Sequence, residues 1–288
     1  MPVSVDRCFD LLVDDLTPSA ADQCCAEARL APLADALAHR YAPVRLEPIG
    51  SLGHGTSLPG HTVLDALVVL PADRLKIDSV AMLRAIAAEL RERLPTVGVA
   101  ISPPAVVVHR TAGAADACAL IPAEPTGRSV HGAVVYHIPD RAGGWMRSGP
   151  QAYRDWVDAE DRRLDGRLKP LVRILKAWSH ADATGLRSLW IELRTTQWAS
   201  EQAVIRYPVA VSGVLRHMLA YAHAMPDPLD AGAPIEACAL ADHTAAFAAV
   251  AGAADRAAAA VADESAGDLN AALAHWRRAF DGHFPRFG

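Results

Sequence analysis

The sequence predicts a mixed α/β chain in two parts: an α/β half over residues 1–150 and an all-helical half over residues 151–288. Three observations carry this. Short Val-rich runs bounded by Gly and Pro recur before Pro150, and such runs are strand-like. After Pro150 the apolar residues fall at helical spacing over long stretches. With 288 residues, 51% of them hydrophobic, the chain can bury a sizeable core without disulfide or metal staples.

Taken in order, residues 20–41 read as a helix through Ala26, Leu30, Leu33 and Leu37, with Thr17 and Ser19 as caps and Pro32 as a kink or break. Pro43 and Pro48 end it, and a Gly-rich stretch from Gly50 to Gly60 follows. Val63–Leu70 reads as a strand. Ile77–Leu94 reads as an amphipathic helix, with Met82, Ile86, Leu90 and Leu94 on one face. Strands are expected at 98–101, 105–109, 117–121 and 134–138, then helices at 153–180, 187–199, 209–224 and 240–262. Pro226–Pro234 is a loop. The Ala-rich segment 244–262 has few bulky side chains and must pack closely or lie near the surface.

Composition excludes several classes. Lys and Arg total 28 and Asp and Glu 33, giving a net charge of −5. That argues against a generally basic nucleic-acid coat. No uncharged apolar run of about 18 residues and no leader-like start is read, so a cytoplasmic chain without membrane segments is expected. The five cysteines show no CxxC or metal spacing, which suits reduced thiols.

The chemistry-bearing segment is Gly50-Ser51-Leu52-Gly53-His54-Gly55-Thr56, followed by Thr62-Val63-Leu64-Asp65 at a strand start. A Gly-Ser turn presents backbone N–H groups to phosphate, and carboxylates at i and i+2 on the next strand would hold a Mg²⁺ pair. Only Asp65 is present at that pair. The segment resembles the polymerase-β-type nucleotidyltransferases, above all the bacterial oligonucleotide cyclases of anti-phage signalling, relatives of cyclic-GMP-AMP synthase. Gly50, Ser51 and Thr56 match their motif, Thr62 stands for Ser, Asp65 matches the second carboxylate and Val63 replaces the first. The strand of the third carboxylate resembles Cys118–Ala123, where Ala119 stands at the third position. Further matching segments are Tyr136–Asp140 with Trp145 and Ser148–Pro150, Leu168–Trp178, Arg187–Glu192 and Trp276–Pro285.

The resemblance implies a two-lobed nucleotidyltransferase fold, with a mixed-sheet lobe, a helical lobe and an N-terminal bridging helix. It implies nucleotide or phosphate contacts from Gly50, Ser51, Thr56, Lys169, Lys176, Arg187 and Ser188. Lys169, Arg173 and Lys176 share a helix face, which taken alone reads as solvated; Glu192 is a candidate partner that would make one of them structural. His54 and His61 flank the turn and are candidate acids or bases, or metal ligands together with Asp65. Two of three carboxylates being absent, Mg²⁺ is expected only through substrate phosphates. The leading expectation is a pseudoenzyme that binds a nucleotide or phosphorylated small molecule and is open to a protein partner, or a repurposed metal-independent enzyme. The alternative is an active second-messenger synthase in which Asp116 or Glu124 replaces the missing carboxylate.

Overall fold

The computed structural model describes residues 4–19, 28–60, 63–71, 74–75, 78–109, 117–222, 224–280 and 284–285. The chain divides into two compact units: residues 18–155 with 226–233 form an α/β unit, and residues 1–17, 156–225 and 234–288 form a helical unit.

The α/β unit contains α2 (Leu30–Tyr41), β1 (Arg45–Ile49), the short turn α3 (Gly50–Gly53), β2 (Leu64–Val69), α4 (Ser79–Arg93) and five further strands. These are β3 (Gly98–Ser102), β4 (Ala105–His109), β5 (Ala117–Val130), β6 (Ala133–Pro139) and β7 (Trp145–Ser148). The sheet runs β1-β2-β5-β4-β3, with β6 joined to β5 and β7 to β6. Among the described residues only β2 and β5 pair in parallel; the other pairs are antiparallel, so the sheet is mixed as expected. Alternation of the strand side chains splits the unit's apolar residues. Leu64, Ala66, Val68, Val106, Val108, Cys118 and Leu120 pack with α2 and α4 residues in one core. Leu67, Val69 and Ala123 join Tyr136 and Ile138 in the other.

The expected helix over 20–41 is interrupted ahead of Pro32: Ala28 is helical, Arg29 is a turn, and α2 starts at Leu30. Pro32 is the third residue of that helix, where its missing N–H would have no intrahelical acceptor anyway. Residues 20–27 of the expected helix lie outside the described residues. Asp78 caps α4 by accepting from the Val80 N–H at 2.8 Å. β5 runs on well past residue 121, and its far half carries β6.

The helical unit holds α1 (Val5–Asp15), most of α5 (Pro150–Arg163), α6 (Leu168–Ala181), α7 (Ser188–Ser200), α8 (Tyr207–Ala220), α9 (His243–Ser265) and α10 (Leu269–Ala279). The single long helix expected over 153–180 is two. Asp165 and Gly166 adopt positive φ of 55° and 74°, a conformation that terminates a helix and that Gly tolerates without penalty. The segment Leu240–Ser265 meets the length and apolarity of a membrane span. Its Ala246, Phe247, Val250, Ala253, Ala254, Ala257 and Ala260 are nonetheless buried, and α9 packs against α8 and α10. Small side chains allow that close approach.

α1 is an element the sequence reading passed over. Ser4 caps it by accepting from the Arg7 N–H, and Val5, Cys8, Phe9 and Leu12 form its buried stripe. Phe9 sits in an aromatic cluster, edge-on to Trp276 at 4.9 Å and to Phe284 at 5.2 Å. Phe9→Ala is therefore expected to destabilise the protein by about 3–5 kcal/mol, read as a lowered denaturation midpoint with an unchanged slope.

Candidate functional site

In the α/β unit the Gly50 turn and the start of β2 are built as one piece. Gly50 has φ +66°, and a Cβ there would stand 2.5 Å from Asp65 Oδ2, so the turn needs glycine for its conformation and for its space. The turn is closed by His54 N–H donating to the Gly50 carbonyl at 2.9 Å and Thr56 N–H donating to the Ser51 carbonyl at 2.8 Å. Thr56 is fully buried and its hydroxyl also reaches the Ser51 carbonyl, so its place is inside the turn. Ser51 is half-buried. His54 is only 2% exposed. His61 and Thr62 lie outside the described residues.

Strand pairing then fixes what surrounds Asp65. Its register partners are Ile49 on β1 and Ala119 on β5. Neighbouring strands are about 4.8 Å apart, so positions 65 and 119 are adjacent on one face. Val63, which is 39% exposed, stands before the strand begins. Glu124 lies five residues beyond Ala119, roughly 16 Å along the strand, and pairs with His137. It does not reach Asp65. Asp116 lies outside the described residues. Among the described residues no group of three His, Cys, Asp or Glu side chains is placed to hold a metal ion.

In the helical unit the four expected phosphate contacts separate. Lys169 pairs with Asp158 at 2.7 Å in the first turn of α6, and its N–H donates to Asp161 Oδ1. Lys176 is 3% exposed and donates to Glu192 Oε2 at 2.9 Å, a fully buried ion pair joining α6 to α7. Arg173, between them in sequence, is also buried and donates to Thr17 Oγ1 at 3.2 Å. The shared face of Lys169, Arg173 and Lys176 is thus turned largely into the helical unit; the solvated reading is corrected. Leu168, Leu171, Ile174, Leu175 and Trp178 are buried on the same helix, so α6 is enclosed on most sides.

Arg187 and Ser188 come together at the start of α7. They line a cavity of about 430 Å³ with Ser179, His180, Gly185 and Ile191. Arg187, the N-cap residue, makes no side-chain cap bond, so no side chain from that position satisfies the first-turn N–H groups. Its guanidinium pairs at 2.7 Å with Glu236, which is 57% exposed. Guanidinium, hydroxyl and helix N-terminus converge there in the pattern that accepts an anion. His180 is a cavity residue the sequence reading did not single out; only its position seven residues before Arg187 along the chain hinted at it.

The class follows from this build: a mixed sheet whose parallel β2–β5 pair carries the Gly-Ser turn and a carboxylate position, followed by a helical unit, is the nucleotidyltransferase fold. In particular, the chain has the fold of CdnC from E. coli MS115-1 solved with ATP, with a TM-score of 0.77 at 17% identity over 99% of both chains. Vibrio cholerae DncV, a cyclic AMP-GMP synthase in complex with the linear intermediate 5' pppA(3',5')pG, is similar with a TM-score of 0.64 at 14% identity, covering 98% of this chain and 86% of that one. A probable cyclic nucleotide synthase of Bacillus cereus strain VD146 is 28% identical over 60 residues, 21% of this chain and 18% of that protein. No protein-family model matches.

Removing one member of the Lys176–Glu192 pair leaves the other charge buried without its ion-pair partner. Lys176→Ala is expected to destabilise by about 3–5 kcal/mol, whereas Lys176→Met with Glu192→Leu recovers most of that loss; urea denaturation of the three proteins distinguishes the outcomes.

Proposed function

We propose that this chain binds nucleoside polyphosphates on a nucleotidyltransferase fold without transferring the nucleotidyl group by a metal pair. The observation that carries the reading is the β2–β5 register, which sets Asp65 beside Ala119 instead of a second carboxylate. In two-metal transfer the ions neutralise the triphosphate, activate the attacking oxygen and steady the leaving group. If each absent ligand removed about 3–4 kcal/mol of transition-state stabilisation, the rate would fall roughly 10²–10³-fold per position. Mg²⁺ then arrives only with the phosphates it already neutralises.

Binding draws on what is retained. Gly50 and Ser51 form the turn next to Asp65. The cavity at α7 offers Arg187, Ser188 and the helix N-terminus to a phosphate, which would compete with the exposed Glu236 for the guanidinium. CdnC was solved with ATP, which supports a nucleoside triphosphate as the ligand class. The burial of His54 argues for binding over metal-independent acid–base chemistry through that residue. Lys176, paired inside the helical unit, belongs to the scaffold in this reading.

Nucleoside triphosphate at 100 times its Kd should stabilise the fold by about 2.7 kcal/mol, and Arg187→Gln with Ser188→Ala should abolish the shift. Labelled ATP and GTP with Mg²⁺ or Mn²⁺ should give no linear or cyclic product from the wild type. A metal-dependent product would overturn the reading. Product from the Val63→Asp, Ala119→Asp variant alone would show that the carboxylates are the missing part.

A further inference from the structure

We propose that a cleft of about 420 Å³ in the α/β unit, between β1 and the start of β6, binds a small organic anion with a flat apolar body. Its lining shares no residue with the Gly50–Gly53 turn or with the Arg187 cavity, while Ile49 and Leu67 set it on the face of the sheet that carries Asp65.

The cleft exists because β1 and β6 both belong to the sheet yet do not pair with each other: β1 pairs with β2, and β6 with β5 and β7. One side-chain bond spans the opening, where the Tyr136 hydroxyl donates to Glu47 Oε2 at 3.0 Å. Glu47 is also ion-paired with Arg45 on the same strand. The carboxylate inside the cleft is therefore already neutralised and hydrogen-bonded. Burial, reinforced by Glu47, holds the Tyr136 phenol above its ordinary pKa, so the hydroxyl stays protonated and donating.

The charged side chains that line the cleft are Arg45, Arg154 and Glu47. Arg45 and Arg154 contribute two guanidinium groups against the single carboxylate of Glu47. Arg45 is 66% exposed, and a guanidinium has five N–H donors, so its pairing with Glu47 leaves others for a ligand. The lining below is apolar: Ile49 and Leu67 from paired strands, Val134, and the ring of Tyr136, which is 4% exposed. A guanidinium rim over an apolar and aromatic floor selects a carboxylate or sulfonate attached to a ring. The volume lies in the range of cavities that enclose a drug-sized molecule.

The test uses the dye 1-anilinonaphthalene-8-sulfonate and the intact chain. Fluorescence titration should give saturable enhancement at a single site. Arg45→Gln with Arg154→Gln should weaken binding about tenfold or more. Val134→Trp, at a position 40% exposed and so tolerant of a larger side chain, should fill the floor and abolish binding. The uncharged analogue N-phenyl-1-naphthylamine should bind the wild type about tenfold more weakly. Equal affinity of wild type and both variants, with circular dichroism unchanged, would overturn the proposal. So would equal binding of the charged and uncharged dyes, or displacement of the dye by inorganic phosphate in the double arginine variant and wild type alike.

Discussion

The parallel pairing of β2 with β5 is the constraint from which the α/β unit follows. A parallel pair cannot be joined by a tight turn; it needs a crossover, and here α4, β3 and β4 lie between the two strands in sequence. β4 returns antiparallel beside β5, and β1 lies antiparallel on the other side of β2. Because side chains alternate, this arrangement decides every facing at once: Leu64, Ala66 and Val68 go under the helices, and Asp65 and Leu67 go to the opposite face. A slip of one residue would bury Asp65 in the apolar core. The Gly50 turn is locked to the same register, since a Cβ at Gly50 would stand 2.5 Å from Asp65 Oδ2.

The helical unit is organised by buried charge as much as by apolar packing. Lys176 and Glu192 face each other without solvent. Arg194, 4% exposed, lies over the rings of Trp190 and Tyr221 at 5.5 and 5.3 Å and donates to Gln197 Oε1 and the Tyr221 carbonyl. Burial pulls the Arg173 and Arg194 guanidinium pKa down, yet their hydrogen bonds and ring contacts compensate part of the desolvation. Such pairs define how α6 and α7 register against each other more sharply than interchangeable aliphatic contacts would, because a shifted helix would strand a charge. A row of cations on a helix is therefore not by itself a ligand site in this protein. Cations free of such internal pairing within the unit would be the ones to look to for anion binding, and Arg187, whose partner is exposed, comes nearest to that.

Much of this was legible in the chain. The Val-rich run at 63–70, the short Val-rich strand expected at 105–109 and the amphipathic stretch before Leu94 became β2, β4 and α4 with small shifts at the ends. The nucleotidyltransferase fold was legible too, because the Gly-Ser turn, the Asp65 strand and the later segments keep their order. Other features were not. α1 is short and its stripe of Val5, Cys8, Phe9 and Leu12 acquires meaning only against Trp276 and Phe284, more than 260 residues away in the chain. The break at Asp165-Gly166 was written in the sequence as a turn dipeptide, but helical periodicity on both sides masked it.

The sequence by itself determined the identities at positions 63, 65 and 119, which are Val, Asp and Ala. It also set the order of strands and helices, through local periodicity and turn residues. Tertiary structure alone decided that Ala119 stands directly beside Asp65, that Lys176 faces Glu192 and not solvent, and that Arg45, Tyr136 and Arg154 surround one cleft. The reason is physical: spacing along a chain fixes only which face of its own element a side chain takes. Which group meets that face depends on strand register and helix docking, and those minimise buried charge and void over the whole unit.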